Sequence, residues 1–250
     1  MQKAQFAHPF PLPDASNAAV AEPHVHEPAT TTKRSKLQHR DPTRQDYVSN
    51  AYCRLAGQLH QIQQTRKLTT VMIASALPGE GKSLTAAILA RALSEAYGKR
   101  VMLIDADLRR PSIHSLFGLP SSPGLNDCLA SAVPVRPVRL SNTLCVIPAG
   151  SPEPNPLERL SSSSLREFLS EQARQSDWVV IDVPPLAACP DAGILAGLVD
   201  GVVVVVRAGK TPLAAVESTI TALGRERIVG VVLNRSGSKA LQYGYPARKA

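Results

Sequence analysis

The chain has 250 residues, of which 44% are hydrophobic and 19% charged, and its formal net charge is +8. This length and balance suit one α/β domain with a well-filled core and leave little room for a second. No apolar run approaches the roughly 20 residues that cross a bilayer, and the N-terminus lacks a signal-peptide pattern. We therefore expect a cytoplasmic protein. The positive charge suits acidic proteins, anionic lipid or nucleic acid without choosing among them.

The N-terminal segment is rich in Pro, Ala, Thr and charged groups and shows no sustained apolar periodicity. Such a segment cannot bury enough surface to offset the entropy of ordering it. We therefore expect residues 1–45 to form a disordered arm. Over residues 47–62, apolar side chains recur at helical spacing. This stripe predicts a helix that packs on the domain or on a neighbouring molecule through Tyr52, Leu55, Leu59 and Ile62.

A phosphate-binding loop follows an apolar strand pattern at Val71–Ala74 and precedes an amphipathic helix pattern. Its small residues let backbone N–H groups curl round an anion, and the helix start adds a positive dipole end. Lys82 is expected to reach the terminal phosphates, and the Ser83 hydroxyl to bind magnesium held by them. The usual pattern begins with Gly, where this chain has Ala76. The predicted nucleotide-binding residues are Pro78, Gly79, Glu80, Gly81, Lys82, Ser83 and Leu84.

Two further apolar strand patterns end in acidic residues. One runs over Val101–Ile104 and leads into Asp105 and Asp107; the other runs over Trp178–Ile181 and ends in Asp182. In parallel sheets the ligand crevice lies outside the carboxyl ends of the strands. We therefore expect these carboxylates to share one rim with the phosphate-binding loop.

The rest of the pattern alternates strands, near residues 144–148, 201–207 and 228–233, with helices near 164–175 and 212–223. Such alternation predicts a mainly parallel, twisted sheet with helices on both faces, joined by right-handed crossovers. The fold class is thus α/β, a three-layer α/β/α arrangement of the P-loop NTPase type. The pattern leaves the strand order open.

The C-terminal segment is polar and basic and has no core pattern. We expect residues 236–250 to form a flexible tail that carries Tyr243 and Tyr245, and the ATP-binding domain to occupy residues 46–235.

Three segments resemble the bacterial tyrosine kinases, the cytoplasmic autokinases of capsule and exopolysaccharide export. They are PGEGKS at 78–83, LIDADLRRP at 103–111 and VIDVPP at 180–185. The likeness extends from about residue 46 to the C-terminus and includes FGLP at 117–120, PGL at 123–125, PAG at 148–150 and NP at 155–156.

The resemblance implies ATP and Mg²⁺ as cofactors and Lys82, Asp105, Asp107 and Asp182 as catalytic residues. Ser83, Asp105 and Asp182 are the implied metal positions, and the acids together support magnesium and activation of a tyrosine hydroxyl. Which acid touches the metal and which accepts the proton stays open, and Asp107 could instead cap the following turn.

Asn234, after the last strand, is a candidate for a hydrogen bond to the adenine, as in similar nucleotide-binding proteins. Asn is also a common strand terminator, and the two interpretations are left open.

Two departures from the family pattern bear on regulation. The family's tail usually carries a dense tyrosine cluster, whereas Tyr243 and Tyr245 are the phosphoacceptors available here. Its early helix often carries a Glu and two Arg for ring assembly, where this chain has Asn50, Cys53 and Ala56. Homo-oligomer formation is therefore possible but not specified.

The leading hypothesis is an ATP-dependent protein tyrosine autokinase that regulates exopolysaccharide or capsule polymerisation and export. Its implied partner is a separate membrane chain, a polysaccharide co-polymerase or chain-length determinant, which would hold the kinase at the inner face of the cell membrane. The alternative is an ATP-binding scaffold or ATPase that gates this partner without significant tyrosine phosphorylation. A partition or division-site ATPase shares the fold but carries an additional loop Lys where this chain has Leu77, so no nucleic-acid partner is expected.

Overall fold

A computed structural model describes residues 42–131, 135–153, 155–188 and 191–236 of the chain. The expected phosphoacceptors Tyr243 and Tyr245 and most of the expected N-terminal arm lie outside these ranges. The strands are β1 (Thr70–Ser75), β2 (Val101–Asp105), β3 (Val138–Arg139), β4 (Leu144–Ile147), β5 (Trp178–Asp182), β6 (Gly201–Arg207) and β7 (Ile228–Asn234). The helices are α1 (Pro42–Thr65), α2 (Lys82–Glu95), α3 (Ile113–Phe117), α4 (Leu125–Ser131), α5 (Pro156–Leu160), α6 (Ser163–Gln175), α7 (Asp191–Ala196) and α8 (Leu213–Leu223).

The strands form one sheet in the order β3-β4-β2-β5-β1-β6-β7. All neighbouring pairs are parallel except the edge pair of β3 and β4. Every residue of β1, β2, β4 and β5 is buried. Burial on both faces explains why these strands are continuous apolar runs rather than alternating patterns.

Helices cover both faces of the sheet, and each face has its own hydrophobic core. One core packs α1, α2 and Ile113 of α3 against the sheet. The other packs α4, α5, α6, α7 and α8 against the opposite face, with Phe168 among its largest buried side chains. The predicted three-layer α/β/α fold is therefore confirmed.

Several elements were not predicted, namely α3, α4, α5, α7 and the two-residue strand β3. These elements have two to seven residues, too few positions for a 3.6-residue or 2-residue period to emerge. Tertiary contacts hold them instead, as where the first N–H of α3, from Ile113, donates to Asp105. The first helix also starts earlier than predicted, at Pro42 rather than Tyr47.

Helix α1 packs on α2, the helix that follows the phosphate-binding loop. The Tyr52 hydroxyl lies 3.0 Å from the Thr85 hydroxyl, and the Tyr97 hydroxyl donates to the carbonyl of Cys53 at 3.0 Å. Ala56 is completely buried in this contact, while Asn50 is exposed. Ala56, one of the positions at which the sequence departs from the expected family pattern, is therefore part of the core. Among the described residues, no helix is both long and apolar enough to cross a bilayer.

Truncating a core side chain of α2 tests the packing of this helix. Leu89 is completely buried, whereas Leu213 at the start of α8 is 71% exposed. We expect Leu89→Ala to lower the free energy of unfolding by about 2–5 kcal/mol, because it leaves a cavity beside the sheet. The matched variant Leu213→Ala should change it by less than about 0.5 kcal/mol. Urea unfolding measures both, and equal effects of the two variants would contradict this packing.

Candidate nucleotide site

The phosphate-binding loop joins the carboxyl end of β1 to the first residue of α2. Gly79 and Gly81 have φ angles of +77° and +96°, in the left-handed region that favours glycine. A Cβ on Gly81 would also lie 2.2 Å from Asn234 Nδ2. The loop thus turns directly into the helix, whose first free N–H groups are available to an anion.

Alanine is tolerated at the first loop position, where the usual pattern has glycine. Ala76 is 2% exposed and, unlike Gly79 and Gly81, does not have a positive φ angle. Its carbonyl accepts a hydrogen bond from the N–H of Ala187 at 3.1 Å, which ties the loop to the segment after β5. The backbone at this position therefore does not need the positive φ angle that favours glycine.

Glu80 connects the loop to the segment between β6 and α8 and to the end of β7. Its carboxylate accepts hydrogen bonds from the N–H of Leu77, at 2.9 Å, and from the hydroxyl of Thr211. Its carbonyl accepts from Asn234 Nδ2 at 2.7 Å. Glu80 is 2% exposed. Its charge is therefore satisfied inside the protein rather than by water.

Lys82 lies between Asp107, in the segment after β2, and Asp182, the last residue of β5. Its Nζ is 2.8 Å from Asp107 Oδ2 and 3.3 Å from Asp182 Oδ1. It also donates to Ser83 Oγ at 3.3 Å. The structure thus brings together the four predicted catalytic side chains, since Asp105 ends β2 directly beside Asp182 in the sheet register.

Asp105 organises the segment that follows β2. Its Oδ2 accepts from the N–H groups of Ser112 and Ile113, each at 3.0 Å, and its Oδ1 accepts from the N–H of Asp107 at 3.1 Å. Asp107 Oδ1 in turn accepts from the N–H of Arg110 at 3.0 Å. Both carboxylates therefore hold the backbone of the segment after β2 in place, and Asp107 Oδ2 contacts Lys82.

Burial dominates the electrostatics of these carboxylates. It raises the pKa of Asp182 to about 7, although the charge of Lys82 opposes the shift. It raises the pKa of Asp105 to about 6, against the N–H groups of Ile113 and Ser112. Burial disfavours the Lys82 ammonium too, but Asp182 and Asp107 outweigh burial and raise its pKa. The site therefore holds more acid than one ammonium neutralises.

This excess of oxygen ligands fits a magnesium ion bound together with phosphates. Asp182 Oδ2 is buried and accepts no well-formed hydrogen bond from the described part of the chain, although the Ser83 hydroxyl favours its charged form. Among the described residues, no three acidic, His or Cys side chains form a complete metal cage. Magnesium is usually held by one or two carboxylates plus substrate phosphates, so no such cage is needed.

The Asn234 side chain makes two hydrogen bonds to the protein backbone. Besides the bond from Nδ2 to Glu80, its Oδ1 accepts from the N–H of Arg235 at 2.8 Å. The side chain thus joins the end of β7 to the loop. Contact with an adenine stays a prediction.

Thr211 is a contact of the site that sequence reasoning missed. Thr211-Pro212 looks like an ordinary helix-start signal before α8. The hydroxyl binds Glu80 instead of capping the helix. Only the three-dimensional proximity of the two segments reveals this role.

A glycine-rich loop that closes into a helix beside acid-ended parallel strands defines the P-loop NTPase class. Comparison with known proteins narrows the class. Over residues 67–245 the chain matches the family described as "ParA: NUBPL iron-transfer P-loop NTPase".

The relatives of the chain include kinases and a transport protein. It is 40% identical over 190 residues to tyrosine-protein kinase YwqD of Bacillus subtilis, a match that covers 74% of the chain and 80% of YwqD. It is 37% identical over 179 residues to the succinoglycan biosynthesis transport protein ExoP of Rhizobium meliloti, covering 68% of the chain and 23% of ExoP. The chain thus corresponds to most of YwqD and to about a quarter of ExoP.

Among solved structures, the kinase domain of the Escherichia coli tyrosine kinase ETK superposes with a TM-score of 0.73 at 28% identity. The superposition covers 85% of the chain and 89% of that domain. The chain therefore belongs to the bacterial tyrosine kinase family, with the fold of the ParA-like P-loop NTPases.

The raised pKa of Asp182 predicts a pH dependence of stability. Its pKa rises from 3.8 to about 7 on folding, so the folded protein binds a proton that the unfolded chain releases in this range. The free energy of unfolding should therefore fall between about pH 4 and about pH 7. In Asp182→Asn this fall should be smaller. Urea unfolding at about pH 5 and about pH 8, without nucleotide or magnesium, measures the difference.

Asp177 provides the control for this experiment. Burial alone would raise its pKa, but hydrogen bonds from Arg100 outweigh burial and lower it. Its charge is therefore stabilising above its unfolded pKa, and Asp177→Asn should lower stability near neutral pH. An unchanged pH dependence in Asp182→Asn would contradict the account of the site.

Proposed function

We propose that the chain is an ATP-dependent protein tyrosine kinase that phosphorylates tyrosines of its own tail. The observation that carries this proposal is the position of Lys82, within 2.8 Å of Asp107 and 3.3 Å of Asp182 at the end of a glycine-rich loop. Phosphoryl transfer depends mainly on positioning and on neutralising charge. A cation among buried carboxylates, beside an anion-binding loop, suits both tasks. Membership of the tyrosine kinase family supports tyrosine as the acceptor.

Each side chain has a proposed task. The loop N–H groups bind the phosphates, and Lys82 turns from the acids toward the terminal phosphate. Ser83 and Asp182 would hold Mg²⁺, with Asp105 as a further predicted ligand, and the ion would supply positive charge beside the phosphates. Because the oxygens of Asp105 already accept three backbone hydrogen bonds, Asp107 Oδ2 is the better candidate to accept the proton of the tyrosine hydroxyl. Asn234 remains a candidate adenine contact.

The proposed acceptors are Tyr243 and Tyr245, and the proposed partner is a membrane polysaccharide co-polymerase. The match to about a quarter of ExoP, whose name states a role in succinoglycan biosynthesis and transport, supports this setting. In this proposal the partner is a separate chain. It holds the kinase at the inner face of the membrane, and assembly into a homo-oligomer is compatible with it.

Replacing Lys82 tests the proposed chemistry. Lys82→Met keeps the length of the side chain but removes its charge. We expect phosphate incorporation from labelled ATP to fall by about 100-fold or more, the scale of losing one preorganised charged donor. The assay uses the purified chain with Mg²⁺ and the cytoplasmic segment of the membrane partner.

Lys67 lies in the exposed connection before β1, so Lys67→Met serves as the matched control and should retain wild-type incorporation. Wild-type protein that binds ATP but leaves its tail unlabelled would refute the autokinase proposal.

A nucleotide-operated scaffold is the second candidate, because the tail carries only Tyr243 and Tyr245. In a cell that depends on the protein, replacing both tyrosines by Phe separates the candidates. Normal polymer production by this variant would favour the scaffold, and altered polymer production would favour the kinase.

A further inference from the structure

We propose that Thr211 is a positioning residue that holds the phosphate-binding loop in its nucleotide-binding conformation through Glu80. The inference rests on the proposed function, because it assumes that the loop binds a nucleotide. Thr211 lies outside the loop motif and outside the three acidic positions of the site. Among the described residues, its contact with the site is the hydrogen bond to the carboxylate of Glu80.

The Thr211 hydroxyl has a single proton and two acceptors within reach. The closer acceptor is Glu80 Oε1, and the other is the carbonyl of Arg207 at 3.2 Å. The hydroxyl accepts from the N–H of Arg207 at 3.0 Å. The second carboxylate oxygen, Glu80 Oε2, accepts from the N–H of Leu77 at 2.9 Å. The carboxylate therefore bridges the turn after β6 and the start of the loop.

A second connection reaches the same loop residue from β7. Asn234 Nδ2 donates to the carbonyl of Glu80 at 2.7 Å, and the carbonyl of Asn234 accepts from the N–H of Ala208 at 2.9 Å. The loop, the turn after β6 and the end of β7 thus form one hydrogen-bonded unit. We call Glu80, Thr211 and Asn234 the loop clamp.

The burial of Glu80 makes the clamp sensitive to the loss of Thr211. The residue is 2% exposed, and a buried carboxylate that loses a donor is strongly disfavoured. Without the hydroxyl, Glu80 gains by moving toward water, and Leu77 then loses its acceptor. Such a movement would displace the backbone that precedes Lys82 and Ser83.

The effect on binding follows from the population of the competent loop. Apparent affinity falls in proportion to the fraction of molecules that hold the binding conformation. If loss of the hydroxyl leaves about one molecule in ten in that conformation, the dissociation constant rises about tenfold. Thr211 acts on the loop proposed to bind the phosphates, which ATP, GTP and inorganic tripolyphosphate have in common, so the three ligands should be affected alike.

The test compares Thr211→Val, which removes the hydroxyl but keeps the shape, with Thr211→Ser, which restores it. Thr70 offers a matched control at the start of β1, at the opposite end of the strand from the loop. Its hydroxyl also donates to a carboxylate, Asp200 Oδ2 at 2.9 Å, and accepts a backbone N–H, from Asp200 at 2.8 Å. Thr70→Val therefore removes the same chemistry away from the site.

Calorimetric titration with ATP, GTP and tripolyphosphate, each with Mg²⁺, measures binding, and amide hydrogen exchange at Leu77 reports the loop directly. We expect Thr211→Val to weaken all three ligands about tenfold and to speed exchange at Leu77. Thr211→Ser should restore both readings. Thr70→Val should lower thermal stability while leaving affinity and Leu77 exchange unchanged.

Several outcomes would overturn the proposal. These are wild-type affinity in Thr211→Val, failure of Thr211→Ser to restore binding, or an equal loss of affinity in Thr70→Val. A loss confined to ATP would also overturn it, because that result indicates a base contact. Since binding is measured without phosphotransfer, a chain that binds ATP but transfers no phosphate refutes the kinase proposal and leaves this one standing. A wild-type chain that binds none of the ligands refutes both.

Discussion

The ammonium group of Lys82, buried among the carboxylates at the ends of β2 and β5, is the interaction on which the site depends. Asp107 and Asp182 contact it directly, and Asp105 adds to the charge that stabilises it. The buried ammonium without the carboxylates, or the buried carboxylates without the ammonium, would be strongly destabilising. The excess of carboxylate over ammonium leaves the site prepared for a further cation. Within the described residues, Asp182 Oδ2 accepts no well-formed hydrogen bond, so this oxygen is the one that a bound cation would stabilise most.

The sheet makes this arrangement rigid. Asp105 and Asp182 are direct neighbours in the register of β2 and β5, and both strands are completely buried. The phosphate-binding loop is fixed to the same sheet from both sides, at Ala187 after β5 and at Thr211 after β6. Groups held by regular strands lose little entropy when a ligand arrives, which favours binding and positioning. The loop is therefore part of the scaffold rather than a mobile cover.

The elements that the sequence predicts well are those with strong local signals. The buried strands are uninterrupted apolar runs, and the carboxyl-end rule is enough to place Asp105 and Asp182 on one rim from the strand pattern alone. Strand order depends on pairing between distant segments, which local patterns do not encode. The Thr211 contact with Glu80 spans 131 positions, and no local pattern distinguishes Thr211 from an ordinary residue before a helix. The same limit applies to Asn234, the last residue of β7, whose side-chain amide donates to the carbonyl of Glu80 in the loop.

Family membership and site geometry both indicate that the protein binds a nucleotide. Transfer of the terminal phosphate to tyrosine or to water distinguishes the proposed kinase from an ATPase. The most direct measurement is phosphopeptide mass spectrometry of the wild-type chain after incubation with ATP, Mg²⁺ and the cytoplasmic segment of the proposed membrane partner. The account predicts phosphate on Tyr243 or Tyr245, absent when Lys82 is replaced by Met. Release of ADP and free phosphate with both tyrosines unmodified would contradict it.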